Sequence, residues 1–176
     1  MRISAGEWRS RLLRFPDVTG LRPTPDRVRQ TVFNWLGQDM HGLSCLDLFA
    51  GTGVMGFEAL SRGAKSVVMV EKSPAACKAL QQNQQQLNAS QAHIHSMDAL
   101  QFLKQTTQSF DLIFLDPPYH QGWLPKLLNE LPAFLAPDGR VYAEAEYALQ
   151  DDDTWQVIKH GKAGNVHFHL LKLTNE

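Results

Sequence analysis

The stretch Asp47-Leu48-Phe49-Ala50-Gly51-Thr52-Gly53-Val54-Met55-Gly56 constrains this chain more than any other. An apolar strand ends at Phe49, a glycine turn follows, and a helix opens near Val54. Gly51, Gly53 and Gly56 stand in the spacing G-x-G-x-x-G. Such a turn lets backbone come close to a ligand and aims a helix N-terminus at it. The spacing alone fits nicotinamide dinucleotides, flavins and S-adenosylmethionine (SAM), so the rest of the chain must choose among them.

From residue 44 onward, strand and helix patterns alternate, as in a doubly wound parallel sheet. Expected strands are 44–49, 66–71, 92–96, 110–115, 140–145, 154–160 and 165–173. Expected helices are 54–62, 74–88, 99–106 and 122–135, with Pro132 ending or kinking the last. The final two strands form a hairpin through Gly161 and Gly164. Before residue 44, residues 2–14 read as a hairpin or extended arm and 16–24 as a loop. Thr24-Pro25 reads as an N-cap and first position of a helix to about Leu36. The fold class is α/β: a seven-stranded, mostly parallel Rossmann-like sheet, preceded by a small β-arm and a helix. Residues 1–37 form the basic arm and helix, and residues 38–176 the main body of the same domain.

Composition adds one asymmetry to an ordinary globular chain. The net charge is −1, yet residues 1–36 carry seven arginines against Glu7, Asp17 and Asp26. A basic arm on an acidic body suits a polyanionic partner, and arginine suits bidentate phosphate contacts and stacking on bases. Arg9, Arg11, Arg14, Arg22, Arg27 and Arg29 are the candidate contacts, with Trp8 either stacked on a base or packed on the body. Cys45 and Cys77 read as reduced thiols, and no His/Cys cluster has metal-ligand spacing, so no metal is expected. His120 reads as a loop residue. No run of 18 apolar residues and no signal-like segment occurs, so a cytoplasmic location is expected.

Further signals fall at successive strand ends, where open parallel sheets bind ligands. Glu71 closes the second strand, twenty residues past Gly51, where a carboxylate can accept from both ribose hydroxyls. Asp98, beside Ala99, follows the third strand and can hold the amino edge of an adenine. Asp116-Pro117-Pro118-Tyr119 follows the fourth. Two prolines remove two N–H donors, so nearby carbonyls and the Asp116 carboxylate are left to accept. Together they can receive both N–H bonds of a planar amine, and Tyr119 offers a face for a base. A dehydrogenase has no use for such a site.

Asp47–Gly56, Glu71, Asp98 and Asp116–Tyr119 resemble the motif series of Rossmann-type SAM-dependent methyltransferases that modify amino nitrogens. The N-terminal stretch narrows this. Ile3–Gly6, Arg9-Ser10-Arg11, Leu21–Arg29 and Phe33–Leu36 resemble the bacterial 16S rRNA guanine-N2 methyltransferase family (RsmD), over nearly the whole chain. Two departures lie in the arm: Ser4-Ala5-Gly6 is less glycine-rich than the family pattern, and Ser10 stands where Gly is expected.

The resemblance implies methyl transfer from SAM to N2 of one guanine in 16S rRNA, presented by the small ribosomal subunit or its assembly intermediate. It implies Asp116, Pro117 and Tyr119 at the amine. Asp47, Phe49, Ala50, Gly51 and Gly53 would lie by the methionine end of SAM, Glu71 at ribose, and Asp98 with Ala99 at adenine. A monomer is expected. The competing readings are a DNA adenine-N6 or other nucleobase amino-methyltransferase, a catalytically silent RNA-binding assembly factor, and a nicotinamide oxidoreductase.

Overall fold

The computed structural model describes residues 1–18, 21–119 and 121–175. His120, and Gly20 of the expected 16–24 loop, lie outside the described residues.

Helix α1 (Asp26–Leu36) leads into β1 (Ser44–Asp47), α2 (Val54–Ser61), β2 (Ser66–Glu71), α3 (Pro74–Leu87) and β3 (Ala92–Ser96). Then come α4 (Ala99–Gln105), β4 (Phe110–Leu115), α5 (Trp123–Glu130), a 3-10 turn (Leu131–Phe134), β5 (Leu135–Ala145), β6 (Trp155–Ala163) and β7 (Val166–Leu173). The seven strands form one sheet in the order β3-β2-β1-β4-β5-β7-β6. The first five in sequence run parallel, while β7 runs antiparallel to both β5 and β6. The order reverses between β1 and β4, which opens a crevice at the C-terminal ends of those two strands.

Side chains alternate across the sheet and load both faces. Cys45, Val67, Met69, Phe114 and Tyr142 point to one side, under the N-terminal arm, α1, α2 and α3. Leu46, Val68, Val70, Ile113 and Val141 point to the other, under α4 and α5. The arm belongs to the first layer, because Ile3, Trp8 and Leu13 are buried in it. Trp8 therefore packs on the body and is not a surface for a base. The apolar burial of both layers is the main term holding the sheet to its helices.

Local chemistry explains where several boundaries differ from expectation. The first strand stops at Asp47, because Leu48 to Gly53 already turn; the Ala50 N–H donates to the Val70 carbonyl at 2.9 Å and the Gly53 N–H to Ala50 at 2.8 Å. Helix α1 starts at Asp26 with Pro25 as its N-cap, so the Thr24 hydroxyl does not cap it. The 122–135 helix ends at Glu130, and Pro132 lies in the 3-10 turn that follows. β5 begins at Leu135, pairs with Phe110, and shifts register before Leu112 pairs with Arg140. Gly161 is not in the hairpin turn but inside β6; a Cβ there would stand 2.4 Å from the Phe168 ring, so only glycine lets that ring cover the strand.

The arm is a small hairpin with an Arg2–Leu12 bridge. Ser10 has a φ of +68°, a left-handed conformation that glycine reaches without strain. That is the physical reason a Gly is expected there. Among the described residues, no helix is long and apolar enough to cross a membrane.

Candidate active site

The crevice between β1 and β4 collects the sequence-predicted motifs. The glycine turn sits at the end of β1, with Gly51 at φ +56° and Gly53 at φ +79°. A Cβ on Gly53 would lie 2.4 Å from Leu80 and 2.8 Å from Phe57, so the turn is packed down onto α3 and α2 while its other side faces the crevice. Gly56 performs a different task. Its missing Cβ lets α2 sit on Met69 and Val67 of β2. Phe49 meets Trp123 edge-on at 5.7 Å, which braces the turn against the start of α5.

Glu71 holds the turn from the β2 side. One carboxylate oxygen accepts from the Gly51 N–H at 2.8 Å and the other from the Ser73 N–H at 2.7 Å. Each oxygen has a second acceptor site to offer a ligand hydroxyl. Asp98 caps α4 by accepting from the Leu100 N–H at 2.9 Å, and Ala99 is buried beside it. The two residues thus stand at the end of β3, one strand beyond Glu71.

Asp47 is buried at the floor of the crevice. Its register partner is Phe114, which pairs with Tyr142, so Asp47, Phe114 and Tyr142 share one face. Two residues further on, Asp116 and Glu144 continue that face side by side. Tyr142 donates its hydroxyl to Glu144 at 2.5 Å, and Glu144 is itself buried. Pro117 is buried, while Asp116 and Tyr119 keep exposed surface.

These acids raise one another. Asp47 is pushed up to about 7 by burial, then by Glu71 and Glu144, against the opposing bond from the Gly56 N–H. Asp116 is held well above the carboxylate range by loss of water around its carboxyl, then by Glu144 and Asp47. Since Asp116 keeps exposed surface, water screens part of the burial contribution; the facing Glu144 is the firmer cause. Tyr119 is pushed up to about 12, by burial and then by Asp116, Glu144 and Glu146, so its ring stays neutral. Among the described residues, no lysine or arginine forms an ion pair with Asp47, Asp116 or Glu144. An acidic cleft of this kind suits a cationic ligand, and SAM, with its sulfonium and ammonium, fits. The cysteines take no part: both are free and buried, and burial, then Asp111 and Asp47, pushes Cys45 up to about 12.

The candidate RNA arginines divide. Arg9, Arg11, Arg14, Arg22 and Arg27 are exposed. Arg29 is not: it is fully buried, donating to Glu58 at 3.0 Å, to the Arg2 carbonyl at 3.1 Å and to Asp26. A guanidinium without exposed surface cannot reach a phosphate, so Arg29 is a structural residue. The signal was present in the sequence, since position 29 lies three and four residues before Val32 and Phe33 on the apolar side of α1. Of the exposed five, Arg22 follows Leu21, which lies against Gly51 at the crevice. Arg11 instead donates to the Gln86 carbonyl at the far end of α3. That helix has 14 residues, so it carries Arg11 about 20 Å from the strand ends.

Sequence reasoning missed Tyr142, Glu144 and Glu58. A glutamate within the apolar run Val141–Ala145 was the available signal for the first two. Glu58, inside an otherwise apolar helix, was the signal for the third.

Residues 1–172 match the family model described as conserved hypothetical protein 95. The Ribosomal RNA small subunit methyltransferase D of Haemophilus influenzae is 40% identical over 98% of this chain and 93% of its own. Its Escherichia coli namesake is 41% identical over 98% of this chain and 89% of its own. The solved structure of the Escherichia coli protein yhhF superposes with a TM-score of 0.87 at 37% identity, covering 98% of this chain and 97% of that one.

Proposed function

Because the chain belongs to the ribosomal RNA small subunit methyltransferase D family, we propose that it transfers the methyl group of SAM to the exocyclic N2 amine of one guanine in 16S rRNA. The observation that carries this reading is the placement of Asp116–Tyr119. An amine-accepting carboxylate and a neutral aromatic ring stand across the β1–β4 crevice from the glycine turn.

When bound, SAM supplies an electrophilic methyl on a sulfonium. Asp47 and the Gly51–Gly53 turn hold its methionine end, with Phe49 and Ala50 flanking. Glu71 accepts from ribose hydroxyls, and Asp98 with Ala99 holds the adenine edge. The guanine amine is a poor nucleophile because its lone pair is delocalised into the ring. Asp116 and the Pro117 carbonyl accept its two N–H bonds, which localises the lone pair on nitrogen and favours the positive charge developing there. Tyr119 holds the face of the unstacked base. Positioning for in-line displacement supplies most of the rate. The exposed arginines of the arm and α1 bind the surrounding RNA backbone.

The test supplies labelled SAM with unmodified small subunits, naked 16S rRNA and duplex DNA, and then maps the label. Label on one guanine N2 is the expected result; label on DNA adenine overturns the assignment, and no label favours a silent RNA-binding factor. Asp116→Ala should keep SAM binding and lose transfer.

A further inference from the structure

We propose that Glu144 is a positioning residue for methyl transfer: clamped by Tyr142, it fixes the facing Asp116 carboxyl and shares the proton that the amine gives up. This inference rests on the reading of Asp116 as the acceptor of the substrate amine.

The geometry comes from the sheet. Leu115 of β4 pairs with Ala143 of β5, so the next residues, Asp116 and Glu144, are neighbours on one face. Glu144 is buried, and its Oε1 receives the Tyr142 hydroxyl at 2.5 Å. Tyr142 is itself fully enclosed and meets Phe114 edge-on at 6.1 Å. The rotamer of Glu144 is therefore fixed from below, and its second oxygen is left for Asp116, whose ionisation Glu144 opposes. Two carboxyls in such contact cannot both ionise freely, and together they retain a proton.

Further titratable groups among the described residues surround the pair. Tyr119 and Glu146 lie at the mouth, Asp47 on β1 and Glu71 beyond it on β2. On β7, Phe168 is the register partner of Glu144. The adjacent His169 accepts from the Leu149 N–H at Nε2 and meets the Ala143 carbonyl through Nδ1, so it is a neutral imidazole spent on backbone. Burial lowers it further. Among the described residues, no lysine or arginine forms an ion pair with either carboxyl.

The step balances without another reagent. The amine nitrogen gains the methyl, and the electron pair of the breaking S–C bond stays on sulfur. One N–H proton of the amine passes to the Asp116–Glu144 pair as the proton the pair already holds leaves to water through the exposed side of Asp116.

Glu144→Gln keeps the size of the side chain and removes its charge. The expected result is a kcat lowered about 10- to 100-fold, with the KM for the subunit and the Kd for SAM unchanged. The acidic limb of the pH–rate profile moves down by about one unit, because Asp116 loses a like-charged neighbour. A second readout needs no turnover: 13C-carboxyl NMR of the ligand-free protein should show the Asp116 midpoint falling in the same variant. Tyr142→Phe should lower kcat several-fold in the same pattern. Unchanged kcat and an unmoved Asp116 midpoint in Glu144→Gln overturn the proposal, as does a loss confined to KM. Wild-type protein that labels no nucleobase amine overturns the parent reading and this inference together; wild-type activity with an indifferent Glu144 variant overturns this inference alone.

Discussion

Glu58 lies in the middle of α2, fully buried, and collects four donors. Its Oε1 accepts from the Ser4 N–H at 2.8 Å and Arg29 at 3.0 Å. Its Oε2 accepts from the Ala5 N–H at 3.2 Å and Arg62 at 3.0 Å. One carboxylate thus pairs with two guanidiniums, with Asp26 as the second acid on Arg29, and ties down the arm that displays Arg9 and Arg11. Glu58→Gln preserves shape but not charge. Whichever way the amide turns, its NH2 faces either Ser4 and Arg29 or Ala5 and Arg62, donor against donor. Removing one partner of a buried ion pair costs about 3–5 kcal/mol, because the remaining charge stays buried. In a 176-residue domain, each kcal/mol moves Tm by about 2–4 °C. The expected fall is about 6–20 °C, with the Ser4 and Ala5 amides losing protection from hydrogen exchange. SAM binding measured well below the new Tm should persist, since the strand-end crevice is untouched. A fall under about 2 °C with those amides still protected would refute the role of Glu58 as the anchor of the arm.

Other expectations follow from the same structure. Asp47 sits at about 7 against an ordinary 3.8, so the folded protein binds a proton that the unfolded chain has released. The contribution of this group to stability therefore falls as pH rises through that window. A cation at Asp47 reverses the shift, so SAM binding near pH 6–7 should release a proton and tighten as pH rises. Calorimetry in buffers of different ionisation enthalpy reads this directly; identical heats of binding would contradict it, and Asp47→Asn should abolish the release. Among the arginines, Arg22→Ala with Arg27→Ala should weaken subunit binding and flatten its salt dependence. Arg29→Ala should instead lower Tm; an intact Tm with weakened RNA binding would return Arg29 to the interface.

The sheet was legible because its signals are local. Period-two strands, a glycine turn and proline punctuation are written over a few consecutive residues, and Ser66–Glu71 and Phe110–Leu115 appear where their patterns place them. Boundaries moved where a tertiary partner decided them. β5 starts early because Leu135 finds Phe110 across the sheet, and Gly161 joins β6 because the Phe168 ring needs the space of a missing side chain.

The site divides in the same way. Asp47–Gly56, Glu71, Asp98 and Asp116–Tyr119 each carry their chemistry within a short motif, so the sequence by itself determined the turn, the ribose carboxylate, the adenine cap and the amine acceptor as candidates. Arg29 and Arg22 read alike in the chain, both arginines in a basic segment; only packing places one under Glu58 and the other beside the crevice. Asp116 and Glu144 are 28 residues apart, and nothing local links them. Parallel register brings them together, because Leu115 pairs with Ala143 and the next residue of each strand falls on one face.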